Sequence, residues 1–311
     1  MWTQNDIPSM KGKVVVVTGS NSGIGYQAAL ELARKEAKVW MACRSQKKAE
    51  AAMALIKVQV PNADIVYGEL DLSDLSSVKA FAKTFLKTSN RLDILINNAG
   101  IMAIPERTLT KDGFEMQIGT NHFGHYVLTG LLFPLLKKTE NSRIVNVSSS
   151  AHKFGSKMIK DNINFEQGGY SAWKAYGNSK LANLLFSSAL QQKINDSGLG
   201  VVVSSCHPGY TATNLQYTGT NVNKNSFMGK IVAWANYIFG QSELMGALPT
   251  LYAAVSKDVV KNGYYGPNGW FEMRGYPKTV PTSTLAKDKD LADLLWNYSE
   301  EKTSVKFDFS K

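Results

Sequence analysis

Short apolar runs alternate along this chain with longer stretches in which apolar residues recur every three or four positions. The first run, Val14–Val17, is typical of a strand covered on both faces in a parallel sheet. The stretch that follows, from about Ile24 to Lys35, has the spacing of an amphipathic helix. The same alternation continues along the chain and predicts an α/β fold with a doubly wound parallel sheet.

Further strands are predicted at Val39–Cys43, Ile65–Leu70, Ile94–Ile96, Ile144–Val147, Val201–Ser205 and Asn262–Gly266. Further helices are predicted at Ala49–Val58, Leu75–Thr88, Gly124–Leu136, Tyr176–Ile194 and Ala247–Ser256. The chain has no internal repeat and no linker. We therefore expect one domain over 1–311, with a core at about 11–265 and a tail at 266–311.

One long insertion interrupts the alternation at about 210–246. Long loops in compact domains often cover a binding site. Within it, Phe227, Ile231, Trp234 and Ile238 are spaced to share one face of a helix, which fits a substrate cap, a packing helix or an oligomer contact. The sequence leaves these roles open, and it leaves open whether the protein is a monomer or a homo-oligomer.

Composition and charge exclude some function classes. With 44% hydrophobic and 19% charged residues, the chain has the balance of a globular protein. Its net charge of +10 comes from scattered basic residues without a recognition motif, so we expect no nucleic-acid partner. The two cysteines, Cys43 and Cys206, end apolar runs and lack metal-ligand spacing. We expect buried thiols and no metal site.

No stretch reaches the ~20 apolar residues that span a bilayer. Met1–Met10 lacks the basic region and apolar run of a secretory signal or an anchor. We therefore expect a cytoplasmic protein without a membrane span. Lys224 and Lys230, beside the apolar positions of the insertion, leave shallow membrane contact as a lesser alternative.

A glycine-rich turn stands between the first predicted strand and the first helix. Its pattern, T-G-x-x-x-G-x-G, lets the backbone turn tightly and approach a pyrophosphate at the positive end of the helix. The turn residues predicted to bind a dinucleotide are Gly19, Ser20, Asn21, Ser22, Gly23, Ile24 and Gly25. The alternative is a glycine-rich turn without a ligand.

The end of the second strand distinguishes between dinucleotides. An acidic residue there would hydrogen-bond the ribose 2′-hydroxyl of NAD, whereas a cation would accommodate the 2′-phosphate of NADP. The chain has Arg44 and, four residues on, Lys48. A guanidinium can pair a phosphate through two hydrogen bonds, so we predict NADP. NAD is the alternative if Arg44 is only a solvated surface residue.

Tyr176 and Lys180 lie four residues apart at the start of a predicted helix, so both side chains share one face. A nearby ammonium would stabilise the phenolate and lower the pKa of the tyrosine, which suits acid–base chemistry. This spacing is common by chance. It gains weight from Ser148–Ser150, which follow the strand Ile144–Val147 at the edge of the sheet where ligands bind.

Together these motifs resemble the short-chain dehydrogenase/reductase family. The resemblance runs from about Lys13 to Gly209 and adds Asn97–Gly100, Asn121 and Pro208–Gly209, all in the family order. Within the family, the chain most resembles the retinol-dehydrogenase-like branch, on Ala42–Arg44, Ser179–Asn183 and His207–Gly209. The resemblance implies a Rossmann fold and a nicotinamide cofactor.

The resemblance also implies a role for each catalytic residue. Tyr176 would exchange a proton with the substrate oxygen, and Lys180 would tune Tyr176 and hold the nicotinamide ribose. Ser149, chosen over Ser148 and Ser150 on the family spacing, would hydrogen-bond the substrate oxygen. Asn121 would organise a water that links Lys180 to solvent.

Cofactor contacts are implied in the same way. Asp71 and Leu72 would meet the adenine; Asn98, Ala99 and Gly100 the adenosine ribose; and Pro208, Gly209, Thr211 and Thr213 the nicotinamide and pyrophosphate. The four histidines, His122, His125, His152 and His207, are interpreted as structural, with contact to substrate by one of them as the alternative.

We therefore predict an NADPH-preferring oxidoreductase that moves hydride between the nicotinamide and an apolar carbonyl or alcohol substrate. One alternative is a dinucleotide-binding regulator without catalysis, against which the presence of Ser149, Tyr176 and Lys180 speaks. Another is an epimerase or dehydratase on a related fold, which the absence of a recognisable sugar-nucleotide domain disfavours.

Overall fold

The structure is a computed structural model that describes residues 1–157, 161–211 and 241–311. Its centre is an eight-stranded sheet in the order β3-β2-β1-β4-β5-β6-β7-β8. The first seven strands run parallel, and β8 pairs antiparallel with β7. The strands are β1 (Val14–Thr18), β2 (Lys38–Cys43), β3 (Ile65–Glu69), β4 (Ile94–Asn97), β5 (Arg143–Val147), β6 (Val202–Cys206), β7 (Tyr264–Pro267) and β8 (Pro277–Thr279).

Helices connect the strands and cover both faces of the sheet. They are α1 (Gly23–Arg34), α2 (Gln46–Gln59), α3 (Leu75–Thr88), the single turn α4 (Met116–Ile118), α5 (Gly124–Lys138), α6 (Ala172–Asp196), α7 (Glu243–Val255) and α8 (Lys289–Thr303). No helix in the described part of the chain is long and apolar enough to cross a membrane.

The apolar core has two layers, one on each face of the sheet. Leu32 of α1, Ile56 of α2 and Leu251 of α7 are buried on one face. Phe85 of α3 and Leu185 of α6 belong to the other. Burial on both faces explains why the central strands read as continuous apolar runs, and the predicted doubly wound parallel sheet is confirmed.

Two helices near the site depart from the prediction: α6 begins earlier than predicted, and α5 begins at Gly124 as predicted but is preceded by further helical turns. Helix α6 begins at Ala172, because Ser171 keeps an extended backbone, so Tyr176 lies in its second turn. Helix α5 is preceded by α4 and by a π-helical segment, Gly119–Phe123, which holds Asn121. Such segments are often found at functional sites in proteins.

The tail contributes two elements that the sequence pattern did not predict, β8 and α8. Strand β8 is only three residues long and mostly exposed, so it carries no apolar pattern. Beyond α8, the ring of Phe307 packs 4.8 Å from that of Trp296, and Tyr126 Oη donates to the carbonyl of Val305 at 3.2 Å. The tail is therefore part of the core beneath α5 and α6.

The sheet order fixes where a ligand can enter. From β1 the chain proceeds through β2 and β3 toward one edge, then returns to β4 and builds toward the other. Loops therefore leave the carboxyl ends of β1 and β4 in opposite directions, which opens a crevice between them. Gly19, Asn98 and Ser148 each follow the end of a strand bordering this crevice.

Candidate active site

The glycine turn after β1 is shaped by backbone conformations that favour glycine. Gly19 and Gly23 have φ angles of 65° and 60°, in the left-handed region. At Gly25 a Cβ would lie 2.5 Å from both the carbonyl oxygen of Gly19 and Nδ2 of Asn98. The backbone is thus tightly folded at the start of α1, and no side chain caps that helix. These features fit a bound pyrophosphate.

The segment after β4 is tied directly to this turn. Asn98 Nδ2 donates to the carbonyl of Thr18 at 2.8 Å, and the backbone N–H groups of Asn98 and Ala99 both donate to Thr18 Oγ1 at 2.9 Å. A Cβ at Gly19 would meet the Cβ of Ala99 at 2.9 Å. We call Gly19–Gly25 and Asn98–Gly100 together the cofactor wall.

Across the crevice, Tyr176 and Lys180 project from α6. Both side chains are buried, and Lys180 Nζ lies 5.8 Å from the centroid of the Tyr176 ring. Lys180 Nζ donates to the carbonyl of Val147, the last residue of β5, at 3.0 Å. Ser148 and Ser149 follow directly. We call Ser148, Ser149, Tyr176 and Lys180 the catalytic wall.

The two walls enclose a cleft of about 280 Å³. Its lining residues are Gly19, Asn21, Ser22, Gly23, Ile24, Gly25, Asn98, Ala99, Gly100, Val147, Ser148, Tyr176, Lys180 and Pro208. Glycine backbone on one side and a buried phenol and amine on the other suit a dinucleotide whose reactive end reaches Tyr176.

The serines of the catalytic wall differ in what they contact. Ser148 is buried and its hydroxyl donates to the carbonyl of Lys180 at 2.7 Å. Ser149 is only half-buried, and its hydroxyl is close enough to Tyr176 to lower the pKa of the phenol. Ser149 Oγ accepts the N–H of Ala151 at 3.1 Å, which leaves its own O–H free to donate. The structure thus brings Ser149, and not Ser148, to the Tyr176 hydroxyl.

Asn121 lies beside Lys180 through Gly100. A Cβ at Gly100 would be 3.2 Å from Asn121 Oδ1 and 3.3 Å from Lys180 Nζ. The Asn121 side chain donates to the carbonyl of Ile101 and to Ser179 Oγ, both at 2.9 Å, and accepts the N–H of Ile101 at 2.8 Å. Its amide is therefore held by protein groups, which fixes the π-helical segment next to Lys180.

Four of the predicted cofactor residues, Arg44, Lys48, Asp71 and Leu72, do not line this cleft. Arg44 and Lys48 are exposed just beyond β2. The Asp71 carboxylate accepts hydrogen bonds from Ser73, and Leu72 is buried.

The loop after β6 borders the cleft, and Pro208 is one of the lining residues. Gly209 has a φ of 67°, and Thr211 Oγ1 donates to the carbonyl of Pro208 at 3.0 Å. Thr213 and most of the predicted insertion, residues 212–240, lie outside the described residues.

Comparison with known proteins places this arrangement in a family. The sequence profile of the short chain dehydrogenase family matches residues 13–161. Retinol dehydrogenase 13 from Homo sapiens is 38% identical over 290 residues, which cover 93% of this chain and 83% of that protein. Retinol dehydrogenase 12 from Mus musculus is 38% identical over 299 residues, or 96% and 88% of the two chains. The chain belongs to the short-chain dehydrogenase family.

A solved structure shows the same likeness in three dimensions. The crystal structure of an uncharacterized protein from Mycobacterium paratuberculosis matches this dehydrogenase with a TM-score of 0.81, at 41% identity over 99% of both chains. The family and its retinol-dehydrogenase-like branch make the protein an NAD(P)-dependent oxidoreductase that acts on alcohols or carbonyl groups. The cleft is where its residues fit the nicotinamide cofactor.

The Tyr176 and Lys180 pair departs from the sequence-based prediction in one respect. Burial raises the pKa of Tyr176 to about 12, and the contact with Ser149 only partly opposes this. Burial also lowers the pKa of Lys180 to about 8. Proximity of Lys180 was predicted to lower the pKa of the phenol, but in this structure the loss of solvent outweighs any attraction. Tyr176 is therefore held as a neutral phenol, the form that can donate a proton.

Sequence reasoning missed a buried histidine that links Thr18, which anchors the cofactor wall, to Asn121, which lies beside Lys180. Thr18 Oγ1 is 2.9 Å from Nε2 of His125, and Nδ1 of His125 is 3.0 Å from the carbonyl oxygen of Asn121. Burial lowers the pKa of His125 to about 4, so the ring is neutral and can bridge both groups. The only signal in the sequence was the four-residue spacing from Asn121, which a core histidine would share.

Proposed function

We propose that this dehydrogenase is an NADPH-preferring oxidoreductase that interconverts an apolar carbonyl compound and its alcohol, with Tyr176 as general acid and base. One observation carries the proposal. Tyr176 and Lys180 line one side of a cleft whose other side is the glycine turn, and Ser149 lies beside Tyr176. This arrangement supports proton transfer between Tyr176 and the oxygen of a substrate bound next to the cofactor.

A nicotinamide held by the cofactor wall would supply or accept the hydride. During reduction the Tyr176 hydroxyl gives its proton to the carbonyl oxygen, and during oxidation the phenolate takes it back. Ser149 donates its free O–H to the same oxygen as negative charge develops there. Lys180, whose pKa of about 8 lies near neutrality, can be charged or neutral, and so can return a proton to Tyr176.

The NADPH preference rests on the residues after β2. Arg44 follows the last residue of that strand and is exposed, and Ser45 and Lys48 open helix α2. No carboxylate occupies the position where one would bind the ribose 2′-hydroxyl of NAD. A guanidinium there favours a 2′-phosphate through paired, charge-assisted hydrogen bonds.

An apolar substrate is supported by the surroundings of Tyr176 and by the relatives. Trp173, one turn before Tyr176 on α6, is 51% exposed, and its ring lies 6.1 Å from the Tyr176 ring in an edge-on arrangement. An exposed indole beside the catalytic phenol suits an apolar ligand. The relatives named as retinol dehydrogenases suggest apolar alcohols and aldehydes as the first compounds to test.

The proposal is tested by NADPH oxidation over a panel of aldehydes and ketones, and NADP⁺ reduction over the matching alcohols, with Tyr176→Phe as control. We expect turnover with at least one apolar compound and none above background in the control. Tight NADPH binding without turnover on any carbonyl, alcohol or quinone would instead favour the regulatory alternative.

A further inference from the structure

Behind Ser149 lies a buried histidine that has no part in the chemistry described above. His152 belongs to the short 3₁₀ helix Ser150–Phe154, of which Ser149 is the N-cap residue. Its side chain is almost entirely buried. Nδ1 is 2.7 Å from the carbonyl oxygen of Ser149, and Nε2 is 3.1 Å from the backbone nitrogen of Ser283 in the tail.

These two partners fix the proton on the ring. The Ser149 carbonyl can only accept a hydrogen bond, so Nδ1 carries the proton. The Ser283 N–H can only donate, so Nε2 is bare. The neutral ring thus satisfies both neighbours at once, and burial, which lowers the pKa of His152, favours the same state.

The ring is itself held in place from two sides. Tyr264, the first residue of β7, packs edge-on against it with ring centroids 5.5 Å apart. The tail reaches this point because the N–H of Val280 donates to the carbonyl of Tyr264 at 2.9 Å, three residues before Ser283. His152 therefore joins Ser149, the second residue after β5, to Ser283, which lies 131 positions after His152 in the chain.

Ser149 is consequently restrained at two oxygens. Its carbonyl is held by His152, and its Oγ accepts the N–H of Ala151. Its hydroxyl lies beside the Tyr176 phenol, close enough to lower the pKa of that group. A small rotation of this residue would move the hydroxyl away from the substrate oxygen, and misplacements of about an ångström can lower rates by up to about 100-fold.

We propose that His152 is a positioning residue, anchored by the C-terminal tail, that holds Ser149 so that its hydroxyl meets the substrate oxygen. This rests on the proposed function, since it concerns the same reaction. His152 does not touch the substrate or the cofactor. It acts through Ser149. Because the tail holds His152, the tail supports catalysis as well as packing.

Two matched variants separate positioning from general support of the fold. In His152→Asn, the amide can still donate to the Ser149 carbonyl, in place of Nδ1. In His152→Gln, the longer side chain can still accept the Ser283 N–H, but the side-chain donor to the Ser149 carbonyl is lost, and only the backbone N–H of residue 152, at 3.0 Å in the wild type, still donates to it. We expect kcat to fall about tenfold in the Gln variant and less than about threefold in the Asn variant. The NADPH dissociation constant should stay unchanged in both variants, because residue 152 does not border the cofactor wall.

The decisive arm repeats His152→Gln in a Ser149→Ala background. If His152 acts through Ser149, the double variant turns over at the same residual rate as Ser149→Ala alone. Losses that multiply, or equal losses in the Asn and Gln variants, would overturn the proposal and leave His152 with a fold-supporting role. A wild-type protein inert on the whole panel would overturn the proposed function and this inference with it. If the wild type is active but His152→Asn and His152→Gln lose the same amount of activity, only this inference is overturned.

Discussion

The cofactor wall is held mainly by backbone atoms, whereas the catalytic wall is held by buried polar side chains. On the first, glycines with positive φ and the N–H groups after β4 make the close contacts. On the second, the Ser148 hydroxyl donates to the Lys180 carbonyl on α6, and Lys180 Nζ donates to the Val147 carbonyl at the end of β5. The cofactor wall depends on the absence of side chains at its glycines. The catalytic wall depends on particular side chains that are buried away from solvent.

This difference has an energetic consequence. A tightly folded backbone turn tolerates little added volume, but it buries no charge. The catalytic wall buries an amine, whose charged form is disfavoured by the loss of solvent. We therefore expect small steric changes to disrupt the cofactor wall. In the catalytic wall, we expect the buried amine to lower the stability of the fold while it supports activity.

The largest effect should come from Lys180→Met. Turnover should fall by at least about 100-fold, because the proton route through Tyr176 loses its partner. The protein should nevertheless become more stable. The Val147 carbonyl keeps a second donor, Asn183 Nδ2 at 3.1 Å, so no buried acceptor is left unpaired. Chemical denaturation beside the activity assay measures both effects.

The pH dependence of that stability gain follows from the sign of the pKa shift. The pKa of Lys180 is lowered from 10.5 to about 8, so between these values the unfolded chain binds the proton and the folded chain does not. Wild-type stability should therefore rise relative to Lys180→Met as pH increases from about 8 to 10.5. The free energy of unfolding of Lys180→Met should exceed that of the wild type most near pH 7, by on the order of 3 kcal/mol, and only slightly at pH 10.5. A variant less stable than wild type at pH 7 would contradict this account.

Arg44→Asp tests the outer end of the cofactor side. NADPH affinity should fall by about 10- to 100-fold, the value of a charged hydrogen-bonded pair, while NADH affinity changes little or improves. Lys47→Asp, at a neighbouring exposed cation, controls for the change in net charge. Affinities are measured by fluorescence titration. Equal losses of affinity for NADPH and NADH would contradict the assignment of Arg44 to the 2′-phosphate.

A smaller and more local effect is expected from Gly25→Ala. Its Cβ would meet the Gly19 carbonyl and Asn98 at 2.5 Å, so the turn must shift. We expect about a tenfold loss in NADPH affinity and a destabilisation of about 1–3 kcal/mol. Gly200→Ala, where nothing lies within 4 Å of the added atom, should leave both unchanged. A Gly25→Ala protein that binds NADPH normally would show that the cofactor wall is less tightly folded than described.

The same contrast explains what the sequence could predict. The cofactor wall follows from a local pattern, because glycines at fixed spacing are required by backbone geometry. The parallel sheet follows from its apolar runs. The pairing of His125 with Thr18 and Asn121, and of His152 with Ser283, joins distant segments, and a single buried histidine carries no pattern.

Other features were also beyond sequence reasoning. The direction of the Tyr176 pKa shift depends on burial, which the spacing to Lys180 does not report. Tail elements β8 and α8 are too short or too polar to stand out as core elements, although Trp296 of α8 is buried.

The central claim, that Tyr176 moves the proton while the rest of the cleft binds the cofactor, is tested most directly by single-turnover NADPH oxidation in wild type and Tyr176→Phe. Both proteins are saturated with NADPH, its binding is titrated in parallel, and the best carbonyl from the panel is added. We predict equal NADPH affinity within about threefold, and hydride transfer slower by about 100- to 10,000-fold in the variant. Transfer at the wild-type rate in Tyr176→Phe would contradict the account.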